Sequence, residues 1–497
     1  MFEAVELGQS LSKSEFEEQL PQLRTELLRV QRALAGTDSR LLLIIAGMDA
    51  AGKGECVNRL SEWLDMRGID THTYWLPSDE ERERPPYWRY WRTFPARGQI
   101  GIHFAAWYQD LIPRFAERKI DVAQLDAELA RAAFVERMLV EDKTLILKFW
   151  LHLSEEEQEK RLKALATDPL TRRRVTKSDW KHHKHYDRYV AAVERVIRLT
   201  STGQCPWTLI DASNWRHRDM TIGRTILSAL SAHLANGTGP AHPAPNGVFV
   251  PATSPENRIT ILDGVDLSKT CDADSYEKRL RRYQGKINRL TWQAYEAKRS
   301  SVVVFEGWDA AGKGGSIRRL TATMDARLKR IISVAAPTDE EKAHHYLWRF
   351  WRHVPRAGFV TAYDRSWYGR VLVERVEGFA TPTEWQRAYQ EINEFEEQLA
   401  AHGIVLTKFF LHISKDKQYR RFKAREQTPH KQHKITEEDW RNREKWDAYE
   451  AAVNEMVART STEYAPWYLI PADDKRYARI EVLKIYAKRL NAALKSR

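Results

Sequence analysis

The sequence predicts an α/β protein made of two tandem copies of one domain, each a parallel sheet sandwiched by helices. The chain aligns with itself without gaps at an offset of 260 residues. In the C-terminal copy, short apolar runs alternate with longer helical patterns, and a glycine-rich segment directly follows the first run. Because a solenoid unit is only about 20–50 residues long, the offset indicates duplication of a whole domain.

Matching motifs run through both copies. Residues 47–54 align with residues 307–314, Trp88 with Trp348, and Lys148 with Lys408. Between the copies, residues 236–257 contain five prolines, which is typical of a semi-rigid spacer. We therefore expect an N-terminal domain at residues 1–235, a linker at 236–257 and a C-terminal domain at 258–497.

Composition narrows the class of protein. With 497 residues, 42% of them hydrophobic and 30% charged, the chain has a globular balance and can bury sizeable cores. Three cysteines are too few for a disulfide framework, and the N-terminus lacks the pattern of a secretory signal, so we expect free thiols in the cytoplasm. The longest apolar run is too short to cross a membrane. A net charge of +12 favours polyanionic partners such as nucleic acid, phospholipid or phosphate-rich substrates.

The elements of the C-terminal copy follow from its apolar runs, which show no polar alternation and so predict strands buried on both faces. The predicted strands are residues 302–305, 331–336, 359–363, 404–413 and 467–470. The predicted helices are residues 315–325, 384–400, 415–425, 437–459 and 476–494. In such a sheet, ligands lie beyond the carboxyl ends of the strands.

The glycine-rich segment at residues 307–314 predicts a phosphate-binding loop, and hence a P-loop kinase-like domain. Gly307, Gly312 and Gly314 let the backbone curl around an anion, so that amide groups and the following helix N-terminus face phosphate oxygens. Lys313 adds a positive charge. Gly314 stands where the usual pattern has a Ser or Thr that binds Mg²⁺, so Asp309 becomes the candidate metal ligand.

A second candidate group follows the third predicted strand. Asp364 at a strand tip beside the loop is where phosphotransferases place a metal-ligating acid. Arg365 and Arg370 would neutralise charge on the phosphate. Basic helical sequence after the fourth strand, which includes Arg420 and Arg421, is consistent with a mobile lid or with a solvated helix face.

These motifs resemble the polyphosphate kinase type-2 family. The resemblance is carried by residues 307–314, 364–368, 408–414 and 467–475, with a looser match in the N-terminal copy. It implies the two-domain subgroup, which transfers phosphate from inorganic polyphosphate to AMP to give ADP, with Mg²⁺ as cofactor. One difference from the pattern is Gly369, where many members carry Asn.

The resemblance also implies roles for individual residues. Asp309 and Asp364 would coordinate Mg²⁺ as the metal ligands. Lys313 and Arg365 would bind and neutralise the transferring phosphate. Glu374 would complete the acidic face of the site, and Arg420 and Arg421 would belong to a helical lid.

Other functions stay open at this stage, because no residue independently identifies adenine. The enzyme could act on ADP or other nucleotides, or run toward polyphosphate synthesis. A nucleic-acid-binding P-loop ATPase is a different class, disfavoured because no helicase-like second motif set accompanies the loop. A non-catalytic polyphosphate-binding protein is disfavoured by the Asp364–Arg365 pair. We expect no membrane partner, and the oligomeric state, including a homo-oligomer, stays open.

The two copies are predicted to differ in activity. At the offset of 260 residues, Asp364 aligns with Phe104 and Arg365 with Ala105. Glu374 likewise aligns with Arg114. Phenylalanine cannot ligate Mg²⁺ and alanine cannot stabilise transferring charge, so the N-terminal copy should be inert unless another acid, such as Asp110, substitutes.

Separate Lys53→Ala and Lys313→Ala variants test this prediction. The Lys313 change should reduce turnover severely, because it removes the loop's side-chain cation, whereas the Lys53 change should leave most activity in place. Turnover of each folded variant is the measurement. Loss of activity from the Lys53 change alone would contradict the prediction.

Overall fold

The computed structural model describes residues 1–235, 260–429, 432 and 435–495. The predicted linker at 236–257 therefore lies outside the described residues, and the domain boundaries stay predictions. One compact unit contains most of the N-terminal copy together with Thr338–His345, and the other contains most of the C-terminal copy together with Ser78–Trp88. Within the described part of the chain, no helix is both long and apolar enough to span a membrane.

The N-terminal copy contains five strands and ten α-helices among its described residues. The strands are β1 (Arg40–Gly47), β2 (Ile69–His72), β3 (Ile100–Phe104), β4 (Thr144–His152) and β5 (Trp207–Asp211). The helices are α1 (Lys13–Ala35), α2 (Lys53–Trp63), α3 (Asp79–Arg82), α4 (Trp88–Trp91), α5 (Tyr108–Ala116), α6 (Val122–Glu141), α7 (Glu155–Thr167), α8 (Lys177–Lys184), α9 (Tyr186–Thr200) and α10 (Trp215–Ala235).

The C-terminal copy repeats this order. Its strands are β6 (Ser301–Gly307), β7 (Lys329–Ser333), β8 (Val360–Asp364), β9 (Val405–His412) and β10 (Trp467–Pro471). Its helices are α11 (Ala273–Glu296), α12 (Lys313–Thr321), α13 (Asp339–Lys342), α14 (Trp348–Trp351), α15 (Val373–Val376), α16 (Pro382–Ala401), α17 (Lys415–Glu426), α18 (Glu437–Glu444), α19 (Trp446–Thr460) and α20 (Lys475–Lys495).

Each copy forms a five-stranded parallel sheet flanked by helices, which confirms the predicted fold class. The strand orders are β2-β3-β1-β4-β5 and β7-β8-β6-β9-β10, and all the strand pairs in both sheets are parallel. The loop after β6 and the end of β8 therefore lie side by side at the point where the strand order reverses. Sheets of this kind bind ligands at that point, beyond the carboxyl ends of the strands.

Two predicted elements need correction. Every residue of β9 is buried, whereas no residue of β7 is. β7 is one of the two edge strands of its sheet and is not covered on both faces. The single helix predicted at 437–459 is two helices, interrupted at Lys445 with φ −91° and ψ 24°. The break lets α18 border a cavity while α19 packs against α16. At the start of α18, Thr436 and Asp439 form a capping box.

A buried ion pair joins the elements of the C-terminal core. The Lys408 ammonium donates to Glu396 at 2.6 Å and to the Thr460 carbonyl at 2.8 Å. Glu396 also accepts hydrogen bonds from the Tyr368 hydroxyl at 2.8 Å and the Trp367 indole at 3.0 Å. Burial raises the pKa of Glu396, and the Lys408 charge opposes that shift. The network therefore ties β9, α16, the segment after β8 and the end of α19 together.

Glu396→Ala tests the importance of this network. The substitution leaves the Lys408 charge without its partner, and removing one partner of a buried pair costs about 3–5 kcal/mol. Urea unfolding should show a lower midpoint for the C-terminal unit. Glu463→Ala, at an exposed position before β10, is the matched control and should leave the midpoint unchanged. Equal midpoints for the two variants would contradict the prediction.

Candidate active site

The glycine-rich loop connects β6 to α12 in a conformation that requires glycine at its start. Gly307 has φ 141°, and a Cβ atom there would lie 2.5 Å from the Leu411 carbonyl oxygen. Gly312 precedes α12 in the left-handed conformation, with φ 112°. The Lys313 ammonium donates to the Gly307 carbonyl at 2.6 Å and the Trp308 carbonyl at 3.3 Å, so this lysine folds back over the loop.

A cavity of about 470 Å³ lies at this end of the sheet. Its walls are the loop, the end of β7, the end of β8 and the helical region after β9. The lining residues are Trp308, Asp309, Ala310, Ala311, Gly312, Lys313, Gly314, Gly315, Ser333, Val334, Asp364, Arg365, Arg425, Thr436, Glu438, Asp439 and Asn442. The structure thus brings Asp309, Gly312, Lys313 and Gly314 together with Asp364 and Arg365, whereas Gly307 does not line the cavity.

Asp309 is the most heavily contacted carboxylate of the cavity. Its oxygens accept hydrogen bonds from Arg365 Nη2 and from Asn442 Nδ2, both at 3.1 Å. Lys313 Nζ lies 3.9 Å away. Burial opposes ionisation, but the charges of Lys313 and Arg365 outweigh it and lower the pKa of Asp309. Asp309 is therefore a carboxylate at neutral pH.

Asp364 and Arg365 lie where β8 ends. Arg365 adopts a left-handed backbone, with φ 63°, and its N–H donates to the Phe305 carbonyl of β6 at 3.0 Å. A Cβ atom on Gly314 would lie 3.6 Å from Asp364 Oδ2. Glycine at position 314 therefore leaves the space next to Asp364 open, where a Ser or Thr side chain would contact the carboxylate.

The donor set suits a divalent cation that shares its coordination with phosphate. Within the described ranges, no group of three or more His, Cys, Asp and Glu side chains could hold a metal ion by protein ligands alone. Asp309 and Asp364 instead offer two carboxylates on one cavity beside a phosphate-binding loop. One or two carboxylates, waters and substrate phosphates are the usual ligands of Mg²⁺ in such sites.

Four other predicted residues lie away from the cavity lining. Arg370 pairs with Glu374 at 3.2 Å and stacks over Tyr346. Arg421 is buried and donates to the loop carbonyls of Ala310 and Ala311 at 2.9 and 3.1 Å, so it fixes the loop from behind. Arg420 is an exposed residue of α17. The predicted phosphate contacts of Arg370, Arg420 and Arg421, and the predicted place of Glu374 on the acidic face of the site, stay predictions.

The sequence predicts a helix over these residues, but sequence reasoning missed that Asp439 and Asn442 line the cavity. Asp439 and Asn442 lie three residues apart on one face of α18, a spacing that signals a shared surface. Arg441 and Lys445 pair with the buried Glu377, at 3.3 and 2.9 Å. The helix is therefore held at one point by the loop, through Asn442, and at another by Glu377.

An indole pair joins the loop to the next helix. Trp308 of the loop stacks on Trp446, the first residue of α19, with ring centroids 3.7 Å apart and planes within 6°. The Trp308 indole N–H also donates to His412 Nδ1 at 2.9 Å. The loop is therefore fixed to the end of β9 as well as to α19.

The N-terminal unit keeps the loop but not the strand-end acid. Lys53 donates to the carbonyls of Gly47 and Met48, at 2.8 and 3.0 Å, as Lys313 does in its own loop. Asp49 contacts His182 at 2.7 Å, where the C-terminal unit has Asn442. Phe104 and Ala105 occupy the positions of Asp364 and Arg365. The glycine-rich loop with its back-folded lysine is therefore present twice, and the pair of carboxylates beside it once.

A glycine-rich loop between a strand and a helix, at the carboxyl end of a parallel sheet and beside an Asp-Arg pair, is typical of P-loop phosphotransferases. The family model described as Polyphosphate kinase 2 (PPK2) matches residues 10–237 and 270–497. The chain therefore belongs to the polyphosphate kinase 2 family, with one family domain in each copy.

Relatives match over the whole chain. A polyphosphate:AMP phosphotransferase of Pseudomonas aeruginosa is 47% identical, with 100% of this chain and 99% of that protein covered. A protein of the same name from Pseudomonas syringae pv. tomato is 44% identical, covering 99% of each chain. A crystal structure titled as a putative polyphosphate kinase 2 from Pseudomonas aeruginosa superposes with a TM-score of 0.89 at 44% identity, covering 100% of both chains.

Asn442→Ala tests the contact between α18 and the loop. Removing the amide takes away one of the hydrogen bonds that orient Asp309, and losing such a supporting contact lowers activity by about 10–100-fold. Turnover with saturating substrates is the measurement. Asn454→Ala is the matched control, because the Asn454 side chain on α19 bonds to the backbone of Leu262 and Glu450 and does not line the cavity. Wild-type turnover in the Asn442 variant would contradict the role.

Proposed function

We propose that the chain transfers a phosphoryl group from inorganic polyphosphate to AMP to give ADP, with the reaction carried out in the C-terminal unit. One observation carries this proposal. Asp309, Lys313, Asp364 and Arg365 line one cavity at the carboxyl end of the C-terminal sheet. The names of the full-length relatives support polyphosphate as donor and AMP as acceptor.

The proposed reaction needs positioning and charge neutralisation more than covalent participation by the protein. An oxygen of the AMP phosphate bonds to the terminal phosphorus of the polymer. The bond from that phosphorus to its bridging oxygen breaks, and a polymer one phosphate shorter leaves with the electron pair. No oxidant or further reactant is required.

The residues of the cavity divide this work. The loop amides and the N-terminus of α12 bind phosphate oxygens. Lys313 and Arg365 place permanent positive charge where the transferring group gains negative charge. Arg425, which also lines the cavity, adds a third cation.

Asp309 and Asp364 would hold Mg²⁺, which supplies charge neutralisation at the phosphate oxygens when bound. In the present structure Asp309 is occupied by Arg365 and Asn442. Binding of the cation and the substrates would therefore exchange at least part of these contacts, and Arg365 would be released toward phosphate.

The N-terminal unit is proposed to be catalytically inert. Its loop retains Asp49 and Lys53, but Asp49 is engaged by His182 and by Lys53 itself, at 2.7 and 4.0 Å. Asp110, the alternative acid, forms an exposed pair with Arg114 at 3.1 Å. Neither arrangement supplies the second carboxylate beside the loop that the proposed mechanism requires.

A nucleotide panel tests the assignment of the substrate. Purified protein is mixed with Mg²⁺, polyphosphate and one of AMP, ADP, GMP or GDP, and the nucleotides are separated. We expect conversion of AMP to ADP. Conversion of ADP to ATP without conversion of AMP would overturn the proposed acceptor, and ATP hydrolysis stimulated by nucleic acid would favour the P-loop ATPase.

Asp364→Asn tests the site. The amide keeps the shape of the side chain but removes the charge that a metal ligand needs, so transfer should fall by more than about 100-fold, the upper end of losses for supporting metal-site residues. Turnover at saturating Mg²⁺ is the measurement, with an unfolding curve to show that the fold persists. Asp110→Asn is the matched control and should keep wild-type turnover. Near-normal turnover of the Asp364 variant would exclude Asp364 as a ligand.

A further inference from the structure

Glu306, the residue before Gly307 on β6, carries a buried carboxylate behind the catalytic cavity. It is 5% exposed and is not part of the cavity lining. Its Oε1 accepts a hydrogen bond from the Ser366 hydroxyl at 2.8 Å. Ser366 Oγ in turn accepts from the Tyr368 N–H at 3.3 Å and caps the short helical turn Trp367–Val371. One carboxylate thus links the end of β6 to the corner that follows β8.

That corner, residues 364–366, carries the two strand-end residues of the site, Asp364 and Arg365. Arg365 is left-handed, with φ 63°, and Ser366 is extended, with φ −159°. A left-handed backbone is unfavourable for a residue other than glycine and persists only where its surroundings fix it. Two hydrogen bonds fix this corner to β6. The Arg365 N–H donates to the Phe305 carbonyl, and the Ser366 hydroxyl donates to Glu306.

The N-terminal unit shows the same corner without the second bond. Ala46 and Ala106 stand at the positions of Glu306 and Ser366. The first bond is kept, because the Ala105 N–H donates to the Ile45 carbonyl at 3.0 Å. Both Ala105 and Ala106 are left-handed there, with φ 50° and 45°. The backbone of the two corners therefore differs at the residue that bears the serine hydroxyl.

We propose that Glu306 is a positioning residue: by accepting the Ser366 hydroxyl it sets the corner that directs Asp364 and Arg365 into the cavity. It acts through Ser366 and does not touch substrate. The corner in turn places the Arg365 guanidinium 3.1 Å from Asp309. The kinetic test of this role rests on the proposed function, because it measures phosphoryl transfer. The structural test does not.

The kinetic test uses Glu306→Gln, Glu306→Ala, Ser366→Ala and the double alanine variant. Glutamine keeps an oxygen that accepts the serine hydroxyl, so its kcat should stay within about threefold of wild type, whereas each alanine variant should lose about 10–100-fold in kcat. KM for polyphosphate should change little, because the loop and Lys313 are untouched. The double alanine variant should lose no more kcat than either single alanine variant, because each single substitution already removes the hydrogen bond between Ser366 and Glu306.

The structural test does not depend on activity. A crystal structure of Ser366→Ala should show residues 365 and 366 both left-handed, as at Ala105 and Ala106, with the contact between Arg365 and Asp309 lost. Ser301→Ala is the matched control. It removes a buried serine bond to Tyr486 at the opposite end of β6, and it should leave both kcat and the corner unchanged.

Two results would overturn the proposal. One is wild-type kcat with an unchanged corner in Glu306→Ala or Ser366→Ala. The other is a loss in Glu306→Gln as large as in Glu306→Ala, which would mean that charge and not the hydrogen bond matters. If Glu306→Ala does not fold, Glu306→Gln and Ser366→Ala decide. If the wild-type protein makes no ADP from AMP, the proposed function fails, and the Ser366→Ala structure still decides the role of Glu306.

Discussion

The ion pair between Lys408 and Glu396 is the constraint on which the C-terminal site depends. Charges are costly to bury unless every donor and acceptor finds a partner, and here the partners come from four separate elements. Trp367 and Tyr368, which both bond to Glu396, begin two residues after Arg365. The chain that follows Asp364 and Arg365 is therefore anchored in the core at Trp367 and Tyr368. Only the backbone conformation of residues 364–366 remains to be fixed by other contacts.

The N-terminal unit shows that this network serves the fold and not the chemistry. Lys148 and Glu136 form the same pair at 2.6 Å, with bonds to Tyr108, Trp107 and the Thr200 carbonyl. Yet this unit has no acid or arginine at the end of β3. The buried pair is thus present in a copy that lacks counterparts of Asp364 and Arg365. Both copies share the ion-pair network of the core, and the C-terminal copy alone adds the strand-end acid and arginine.

Much of the site follows from the sequence because its key residues obey local rules. A glycine-rich loop between a strand and a helix, and an acid at the tip of the neighbouring strand, are enough to predict that Asp309, Lys313, Asp364 and Arg365 lie close together, and these four residues line one cavity. The parallel sheet followed from the unbroken apolar runs. These inferences needed only the strand-to-loop order and the geometry of parallel sheets.

Other features depend on contacts between distant parts of the chain, and no local pattern encodes them. The bond from Asn442 to Asp309 spans 133 residues and that from Ser366 to Glu306 spans 60. The interruption at Lys445 lies within an unbroken helical pattern, and the directions of the Arg370 and Arg421 side chains are set by tertiary partners. The unpredicted helix α11 is a different case, because its buried residues recur at helical spacing and a local pattern does encode it.

The stacked indoles of Trp308 and Trp446 have an optical consequence. Two parallel indoles at 3.7 Å share their electronic excitation, so their circular dichroism depends on the angle and distance between the loop and the first turn of α19. The equivalent residues of the N-terminal copy are Met48 and Tyr186, which form no such pair of indoles. Although the chain has 18 tryptophans, the spectroscopic signature of this pair reports on one of the two loops alone, and it does so without any added label.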